Sequence, residues 1–185
     1  MKVCETVAFT NEGRAIVRRS PVAGDAADLL AFLRQLHRES YRFLNRAADK
    51  YDAMSVAEEA EILAQFEAHP TSFMVVAAHE GRIVGHLGVF AEASPFQEHC
   101  GRLGMGLLAT YQGQGIGKAL LRHALQEAER FGLWNMRLYV RTYNEPAIRL
   151  YESMGFERVG TLQAIAWIDG EWVDDHLYQR RAAGV

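Results

Sequence analysis

The sequence predicts a single α/β domain. Its 185 residues suit one domain with a sizeable core, and 49% hydrophobic with 23% charged residues is ordinary for a globular protein. Short apolar runs that flank glycine turns predict strands, and segments with apolar residues at three- and four-residue steps predict helices. We find no internal repeat, linker or low-complexity segment. One domain is therefore expected over residues 1–185, with residues 1–13 as an N-terminal extension that ends in a hairpin strand.

The N-terminal region predicts a hairpin and then a helix. Apolar runs at residues 7–10 and 14–18 flank a turn at residues 11–13, as in a β-hairpin. From about Asp25, a helix with one buried face is predicted by Leu29, Leu33, Leu36, Ser40 and Phe43. Another face of this helix carries an arginine stripe, which consists of Arg34, Arg38, Arg42 and Arg46. A solvated surface is the preferred interpretation of the stripe, and attraction of an acidic substrate is the alternative.

A loop and a second helix are predicted next. Residues 45–54 show weak periodicity and several charges, which indicates a loop. Ser55 and Glu58 form a capping box that begins the second helix, and His69-Pro70 ends it. If the glycine turn at residues 112–117 holds a cofactor, this helix–loop–helix arm is well placed to shape the pocket of the second substrate, although packing alone also explains it.

Three strands are predicted in the middle of the chain. Residues 72–79 are almost continuously apolar, and residues 82–90 return after a turn at Glu80-Gly81, so we expect a hairpin in the centre of the sheet. A third strand runs from about residue 102 to 108. The connection before it contains Glu92, Glu98 and His99. These side chains are candidate catalytic bases, although an acid or a histidine in a loop usually has no such role.

Residues 101–131 predict an anion-binding site. A glycine-rich strand runs into the turn at residues 112–117 (QGQGIG) and then directly into an amphipathic helix. Glycines let the backbone approach a ligand closely, and the N–H groups of the first helical turn point at it with the positive end of the helix dipole behind them. A phosphate group is therefore the expected ligand.

The common nucleotide-binding motifs fit this turn badly. The P-loop pattern would need serine or threonine at Ala119 and glycine at Gln112. The dinucleotide fingerprint lacks its third glycine whether it begins at Gly113 or at Gly115. A match at residues 104–109 lies inside a predicted strand, and we interpret it as chance.

The C-terminal third predicts a strand, a short helix and a hairpin. Residues 136–141 alternate apolar and polar side chains, which is typical of a strand. Asn144 is a suitable cap for a helix that Gly155 ends. Residues 159–168 and 172–179 flank an Asp-Gly turn and predict a hairpin. Only residues 181–185 are expected to be disordered.

Composition and charge argue against several classes of function. The net charge of −3 provides no basic field that would attract nucleic acid. The only two cysteines, Cys4 and Cys100, lack the spacing of a disulfide framework or a zinc cluster, so no metal is expected. No apolar run approaches the roughly 18 residues that span a bilayer, and the first residues do not begin a signal peptide. We expect a cytoplasmic protein that does not bind membranes.

The order of elements and three local motifs resemble the GNAT superfamily of acyl-coenzyme A N-acyltransferases. The motifs are Gln112-x-x-Gly115-x-Gly117, Asn144-x-x-Ala147-x-x-x-Tyr151 and Tyr151-Glu-Ser-Met-Gly155-Phe156. The resemblance in element order extends from about residue 14 to 179. It implies a mixed, mostly antiparallel central sheet with helices on both faces. A homodimer through the C-terminal strands is consistent with this family.

The resemblance implies that acetyl-coenzyme A (acetyl-CoA) is the cosubstrate. The pyrophosphate would be held in the glycine turn, by Gln112, Gly113, Gln114, Gly115, Ile116, Gly117 and Lys118. The preceding strand is expected to carry a bulge and to diverge from its neighbour, so that Leu107, Leu108 and Ala109 pair with the pantetheine arm. Ala109 stands where many relatives have proline, with little consequence because the role is that of the backbone. Asn144 matches a position that contacts the arm.

The resemblance also implies acetyl transfer to a primary amine by direct attack in a ternary complex. One backbone N–H of residues 107–109 would polarise the acetyl carbonyl, and Tyr151 matches the residue whose hydroxyl faces the thioester sulfur. A buried core aromatic is the alternative for Tyr151. The base is left open among His86, Glu92, Glu98, His99 and relay through water. No cysteine lies in a motif that suggests a covalent acyl intermediate.

The acceptor is left open among an amino acid, a small amine, an amine-bearing toxin and a protein N-terminus. Its pocket is expected near the arginine stripe, the loop at residues 45–54 and the hairpin tip at residues 169–170. Asp174 and Asp175 would attract a cationic amine. A coenzyme A-binding sensor or interaction module without turnover is the alternative function, and the presence of Tyr151 argues against it.

Overall fold

The computed structural model describes residues 3–45 and 49–182, which contain eight strands and five α-helices. The strands are β1 (Thr6–Phe9), β2 (Ala15–Arg19), β3 (Phe73–His79), β4 (Arg82–Ala91), β5 (Cys100–Leu107), β6 (Asn135–Arg141), β7 (Glu157–Ile168) and β8 (Glu171–Arg181). The helices are α1 (Ala26–Ser40), α2 (Asp49–Ala53), α3 (Val56–Ala68), α4 (Ile116–Arg130) and α5 (Glu145–Glu152). Residues 1–2 of the predicted extension, Arg46 of the arginine stripe and residues 183–185 of the predicted tail lie outside the described residues.

All eight strands join in one sheet, in the order β1-β2-β3-β4-β5-β6-β8-β7. Every neighbouring pair is antiparallel except β5 and β6, which are parallel. The three predicted hairpins are present as β1–β2, β3–β4 and β7–β8. The predicted mixed, mostly antiparallel sheet is therefore confirmed.

Helices cover both faces of the central strands. Along β3, Val75 and Ala77 pack in a core cluster with α4, whereas Met74 and Val76 pack in a second cluster with α1 and α3. A strand that is buried on both faces needs apolar residues at consecutive positions, which explains the continuous apolar run of β3. The predicted arrangement of helices on both faces is confirmed.

Two predicted irregular segments differ in the structure. The loop expected at residues 45–54 contains the short helix α2, whose Tyr51 is buried with its ring centroid 4.5 Å from that of His37. A five-residue helix with one buried residue is too short to show periodicity in the sequence. Arg181 is not part of a disordered tail, because it pairs with Asn135 at the end of β8.

The predicted first helix is shorter than expected, because α1 ends at Ser40 and Arg42 and Phe43 lie in a 3-10 turn after it. Two arginines of the stripe bond to other elements, which differs from the predicted solvated surface. Arg34 donates to the backbone carbonyls of Tyr51 and Met54, each at 2.9 Å. Arg42 forms an ion pair with Asp169 at 3.1 Å, at the tip of the β7–β8 hairpin.

In the described part of the chain, no helix is long and apolar enough to cross a membrane.

A buried ion pair joins the carboxyl end of β6 to β8. Arg141 Nη1 donates to Asp175 Oδ1 at 2.6 Å, and each side chain is only 3% exposed. Arg141 Nη2 also donates to the carbonyl of Leu44, at 3.2 Å, just beyond the end of α1. The pair therefore links two strands of the sheet to the helical arm.

Replacing Asp175 with alanine is predicted to lower the free energy of unfolding by about 3–5 kcal/mol, because the charge of Arg141 would remain buried without its partner. Urea unfolding measures the loss. As a control, Glu145→Ala breaks the exposed Glu145–Arg149 pair and should cost less than about 1 kcal/mol. Equal losses of unfolding free energy in the two variants would contradict the interpretation of Arg141–Asp175 as a buried ion pair.

Candidate active site

Strands β5 and β6 run side by side only over their first three residues. The last parallel pair is Arg102 with Arg137. Beyond it, β5 stays paired to β4 as far as Leu107, while β6 stays paired to β8 as far as Arg141. The two strands therefore diverge and leave a wedge-shaped opening in the sheet. This confirms the predicted divergence.

The expected bulge in β5 is absent from the paired stretch. The β4–β5 register runs without a shift from Ala91–Gly101 to Gly85–Leu107, and the N–H of Leu108 continues it by donating to Val84 O at 3.0 Å. The expectation of a bulge here was wrong, and the divergence of β6 opens the wedge.

Leu107 presents its backbone to the opening. In an antiparallel pair, residues alternate between those whose N–H and C=O point to the partner strand and those that point away. Because Leu108 bonds to β4, the N–H and C=O of Leu107 point away from β4, toward the wedge. The carbonyl of Leu107 accepts a hydrogen bond from Gln112 Nε2 at 3.0 Å, which agrees with this direction.

The other two predicted backbone donors of this strand already have partners. The N–H of Leu108 bonds to β4, as described above. The N–H of Ala109 donates to Glu39 Oε2 at 2.8 Å. Sequence reasoning missed Glu39, because no motif marks it and its place depends on how α1 packs on the sheet.

The glycine turn has a backbone geometry that suits an anion. Gly113 and Gly115 adopt positive φ angles of 73° and 83°, which favour glycine. Gly115 directly precedes α4, and no side chain among the described residues caps that helix. Gln114 Nε2 instead donates to Thr110 O at 2.8 Å, which fixes the turn itself. The N–H groups of the first turn of α4 therefore suit a phosphate ligand.

The N-terminal hairpin lies against this turn. The N–H of Asn11 donates to Gln114 O at 3.3 Å. A Cβ atom added at Gly115 would lie 3.5 Å from Asn11 Oδ1. The sequence suggested only a hairpin strand for residues 1–13, whereas its turn is a direct neighbour of the predicted pyrophosphate site.

Helix α5 packs beside the wedge. A Cβ atom added at Gly117 would lie 3.1 Å from Leu107 Cδ1 and 3.5 Å from Leu150 Cδ2, so α4, β5 and α5 meet at this glycine. Asn144 Oδ1 accepts a hydrogen bond from the N–H of Ala147 at 3.4 Å, which confirms its predicted role as the cap of α5.

Tyr151 is buried in the last turn of α5. Its side chain belongs to the same core cluster as Ile116 of α4 and Val140 of the diverging part of β6, and its ring meets that of Phe156 edge-on at 5.9 Å. Burial raises the pKa of Tyr151 to about 12, because the charged phenolate would be desolvated. Its hydroxyl forms no hydrogen bond to any other described residue. Tyr151 is therefore a core aromatic with a protonated, available donor.

Three of the predicted bases lie at the wrong end of the sheet. The N–H of Glu92 donates to Cys100 O at the start of β5, and its carboxylate pairs with Arg137 at 2.9 Å. The ring of His99 stacks on Trp134 at 4.1 Å, and Glu98 is its neighbour in the chain. The length of β5 separates this end from Leu107 by about 23 Å. Glu92, Glu98 and His99 are therefore excluded as bases by position.

His86, the fourth predicted base, lies near the site. It pairs with Gly106 in the β4–β5 register. Its ring packs edge-on against Phe32 of α1, with centroids 5.5 Å apart. This places His86 on the sheet face that α1 covers.

A cavity of about 420 Å³ lies beyond the ends of β6 and α1. Its walls include Arg42, Phe43, Thr142, Tyr143, Trp172 and Asp174. Two of the predicted acceptor-binding regions, the arginine stripe and the β7–β8 hairpin, thus contribute to one cavity. Asp175 does not offer a charge to a ligand, because Arg141 already neutralises it.

No metal centre is evident among the described residues. In residues 3–45 and 49–182, no three side chains of the types His, Cys, Asp or Glu are grouped so that they could hold an ion. Cys4 is exposed and Cys100 is buried, and they form no disulfide.

The chain belongs to the GNAT family of acetyltransferases, because the model of that family matches residues 30–156. The L-amino acid N-acetyltransferase AaaT of Escherichia coli K12 is 26% identical over 149 residues, which cover 80% of this chain and 89% of that protein. The N-alpha-acetyltransferase RimI of Mycobacterium tuberculosis is 36% identical over 119 residues, which cover 63% and 70%.

Solved structures share the fold. A GNAT-family acetyltransferase from Streptococcus pneumoniae superimposes with a TM-score of 0.85 at 27% identity, over 90% of this chain and 99% of that one. The yncA protein of Salmonella typhimurium, solved with its cofactor acetyl-CoA, gives a TM-score of 0.76 at 19% identity, over 92% and 95%. Homologues of this chain are thus N-acetyltransferases, and the family uses acetyl-CoA.

We predict that Gly115→Leu weakens coenzyme A binding at least about tenfold, because a side chain would enter the space of the phosphate and strain the positive φ. Gly132→Leu is the matched control. Gly132 has a similar positive φ of 82° at the far end of α4, with no atom within 4 Å of an added Cβ. Isothermal titration calorimetry with coenzyme A should find weaker binding only in Gly115→Leu, and equal affinities would refute the anion site.

Proposed function

We propose that this N-acetyltransferase moves the acetyl group of acetyl-CoA to a primary amine by direct attack in a ternary complex. The observation that carries the proposal is the wedge between β5 and β6, which has the glycine turn at one side and the backbone of Leu107 along its edge. A bound acetyl-CoA supplies a thioester carbonyl, which a neutral amine attacks. The C–N bond forms as the C–S bond breaks, the amine loses one proton, and the sulfur leaves to become the thiol.

The residues of the wedge have the groups needed to hold the cofactor. Backbone N–H groups from Gly113 to Lys118 would bind the pyrophosphate, since the N-terminus of α4 has no side-chain cap of its own. The C=O of Leu107, which faces the wedge, would accept a hydrogen bond from the pantetheine arm as in an added strand. Asn144 would contact the same arm, because it starts α5 beside the opening.

Two groups would stabilise the charges that develop during transfer. The N–H of Leu107 would donate to the carbonyl oxygen as it gains negative charge. The hydroxyl of Tyr151 would donate to the departing sulfur. Because the pKa of Tyr151 is about 12, above the roughly 8.5 of an ordinary thiol, the hydroxyl would act first as a hydrogen-bond donor to the departing sulfur and only then as its acid.

The acceptor is proposed to be an amino acid, another small amine or a peptide N-terminus. The support is the naming of the homologues: AaaT as an L-amino acid N-acetyltransferase, and an Escherichia coli relative, 38% identical over 72 residues, as a ribosomal protein bS18-alanine N-acetyltransferase. The cavity beside Arg42 and Tyr143 would receive the part of the acceptor beyond the amine. A coenzyme A sensor without turnover is disfavoured, because the hydroxyl of Tyr151 stays available.

The protein is proposed to be a homodimer in the cytoplasm. The edge strand β7 exposes large apolar side chains outside the cavity, namely Val159, Ile165 and Trp167. A second copy would cover them, and a monomer in analytical ultracentrifugation would contradict this.

The unpaired cysteines suit a reducing compartment, and the net charge of −3 argues against nucleic acid as a partner.

We predict that Tyr151→Phe lowers kcat at least about tenfold and leaves coenzyme A affinity nearly unchanged. The substitution removes only the hydroxyl from a side chain that stays packed in the core. Steady-state kinetics with a panel of amines measures it. Tyr178→Phe is the control, since its hydroxyl is bonded to Glu152 at 2.8 Å and is not assigned to the reaction. Unchanged turnover in Tyr151→Phe would remove Tyr151 from the mechanism.

The pH profile provides a separate test of Tyr151. Since its raised pKa keeps the donor protonated, loss of activity through Tyr151 should begin only above about pH 11. Any decline of kcat between about pH 8 and about pH 10.5 should therefore appear equally in wild type and Tyr151→Phe. A decline in that range that only the wild type shows would mean that the hydroxyl titrates with an ordinary pKa.

A further inference from the structure

Helix α1 approaches the end of β5 unusually closely. A Cβ atom added at Gly106 would overlap Leu36 of α1, so the missing side chain lets the helix rest on the strand backbone. Glu39 lies three residues after Leu36 and therefore on the same face of α1. Close packing at Gly106 thus brings a carboxylate to the end of β5.

Glu39 places a negative charge at the edge of the wedge. Its Oε2 accepts from the N–H of Ala109 at 2.8 Å, and its Oε1 accepts from Gln35 Nε2 at 2.8 Å. Ala109 is only two residues beyond Leu107, whose N–H faces the wedge. The side chain is exposed, so a ligand can reach the carboxylate.

No positive side chain among the described residues neutralises this carboxylate. The nearby arginines are directed elsewhere, since Arg38 of α1 pairs with Asp52 at 3.9 Å and Arg42, just after α1, pairs with Asp169 at 3.1 Å. Both donors to Glu39 are uncharged amides. The carboxylate of Glu39 therefore has no cationic partner among the described residues, and it lies on the face of the sheet that α1 covers.

We propose that Glu39 binds the acceptor amine and selects acceptors that lack a carboxylate next to that amine. This rests on the proposed function and narrows its substrate class. Glu39 attracts a cationic amine as it enters. In a free amino acid the α-carboxylate lies only a few ångströms from that amine, so Glu39 repels it. The acceptor class is then the amino group of a peptide N-terminus or of a simple amine, and not a free amino acid.

The test compares alaninamide with alanine as acceptors in wild type and Glu39→Gln. These acceptors carry the same amine and differ in the carboxylate. The glutamine keeps an oxygen for the N–H of Ala109 and removes only the charge. The wild type should prefer alaninamide in kcat/KM, and Glu39→Gln should reduce that preference about tenfold. The different pKa values of the two amines cancel, because the same acceptors are used with both proteins.

Three further readouts make the result decisive. Glu92→Gln, the same change at the far end of the sheet, should leave the preference unaltered. Glu39→Gln should keep the melting temperature and the coenzyme A affinity of the wild type. An unchanged preference for alaninamide in Glu39→Gln would overturn the proposal. An equal reduction of that preference in Glu92→Gln would also overturn it. If Glu39→Gln fails to fold, the absence of any preference in the wild type would overturn it.

Failure of the proposed function has a different signature. If the wild type acetylates neither amine, the proposed transfer to such amines is contradicted whatever Glu39 does. Calorimetric titration of alaninamide and alanine in the presence of coenzyme A then decides the role of Glu39 alone. Tighter binding of alaninamide that Glu39→Gln abolishes supports the proposal, and equal binding of the two compounds overturns it.

Discussion

The divergence of β5 from β6 is the constraint on which the candidate site depends. Each strand keeps its pairing with its outer neighbour, β4 for β5 and β8 for β6, so neither can close the gap beyond Arg102 and Arg137. A parallel pair that stops after three residues leaves unpaired backbone on both sides of the wedge. Such groups are costly unless water or a ligand satisfies them, and an extended ligand arm can bond to them as a strand would.

Glycines bring three other elements to this opening. The close contact of Gly106 with Leu36 fixes α1 on one face of the sheet, and the contacts of Gly117 fix α4 and α5 on the other. The positive φ of Gly115 turns the chain from β5 into α4. The glycines near the wedge therefore have separate purposes: close approach at Gly106 and Gly117, and a left-handed turn at Gly115.

Local sequence signals predicted much of this arrangement and long-range packing explains what they missed. The strand–turn–helix around Gly115, the cap at Asn144 and the hairpins depend on neighbouring residues, so their residue types were informative. Glu92 and His99 precede β5 in the chain and therefore lie at its start, and their candidacy as bases overlooked that the strand carries Leu107 about 23 Å away. Glu39 was invisible because its role arises from a contact between residues 70 positions apart in the chain.

The buried guanidinium of Arg141 has a consequence for the motions of the molecule. The same side chain that neutralises Asp175 also holds the carbonyl of Leu44, and the hydroxyl of Tyr143 donates to the carbonyl of Arg42 at 2.6 Å. The segment after α1 is thereby bonded to the sheet through its backbone. Opening of that segment exposes a buried charge at the carboxyl end of β6. The cavity wall and the pairs of β6 and β8 near Arg141 should therefore exchange their amide hydrogens together, as one cooperative unit.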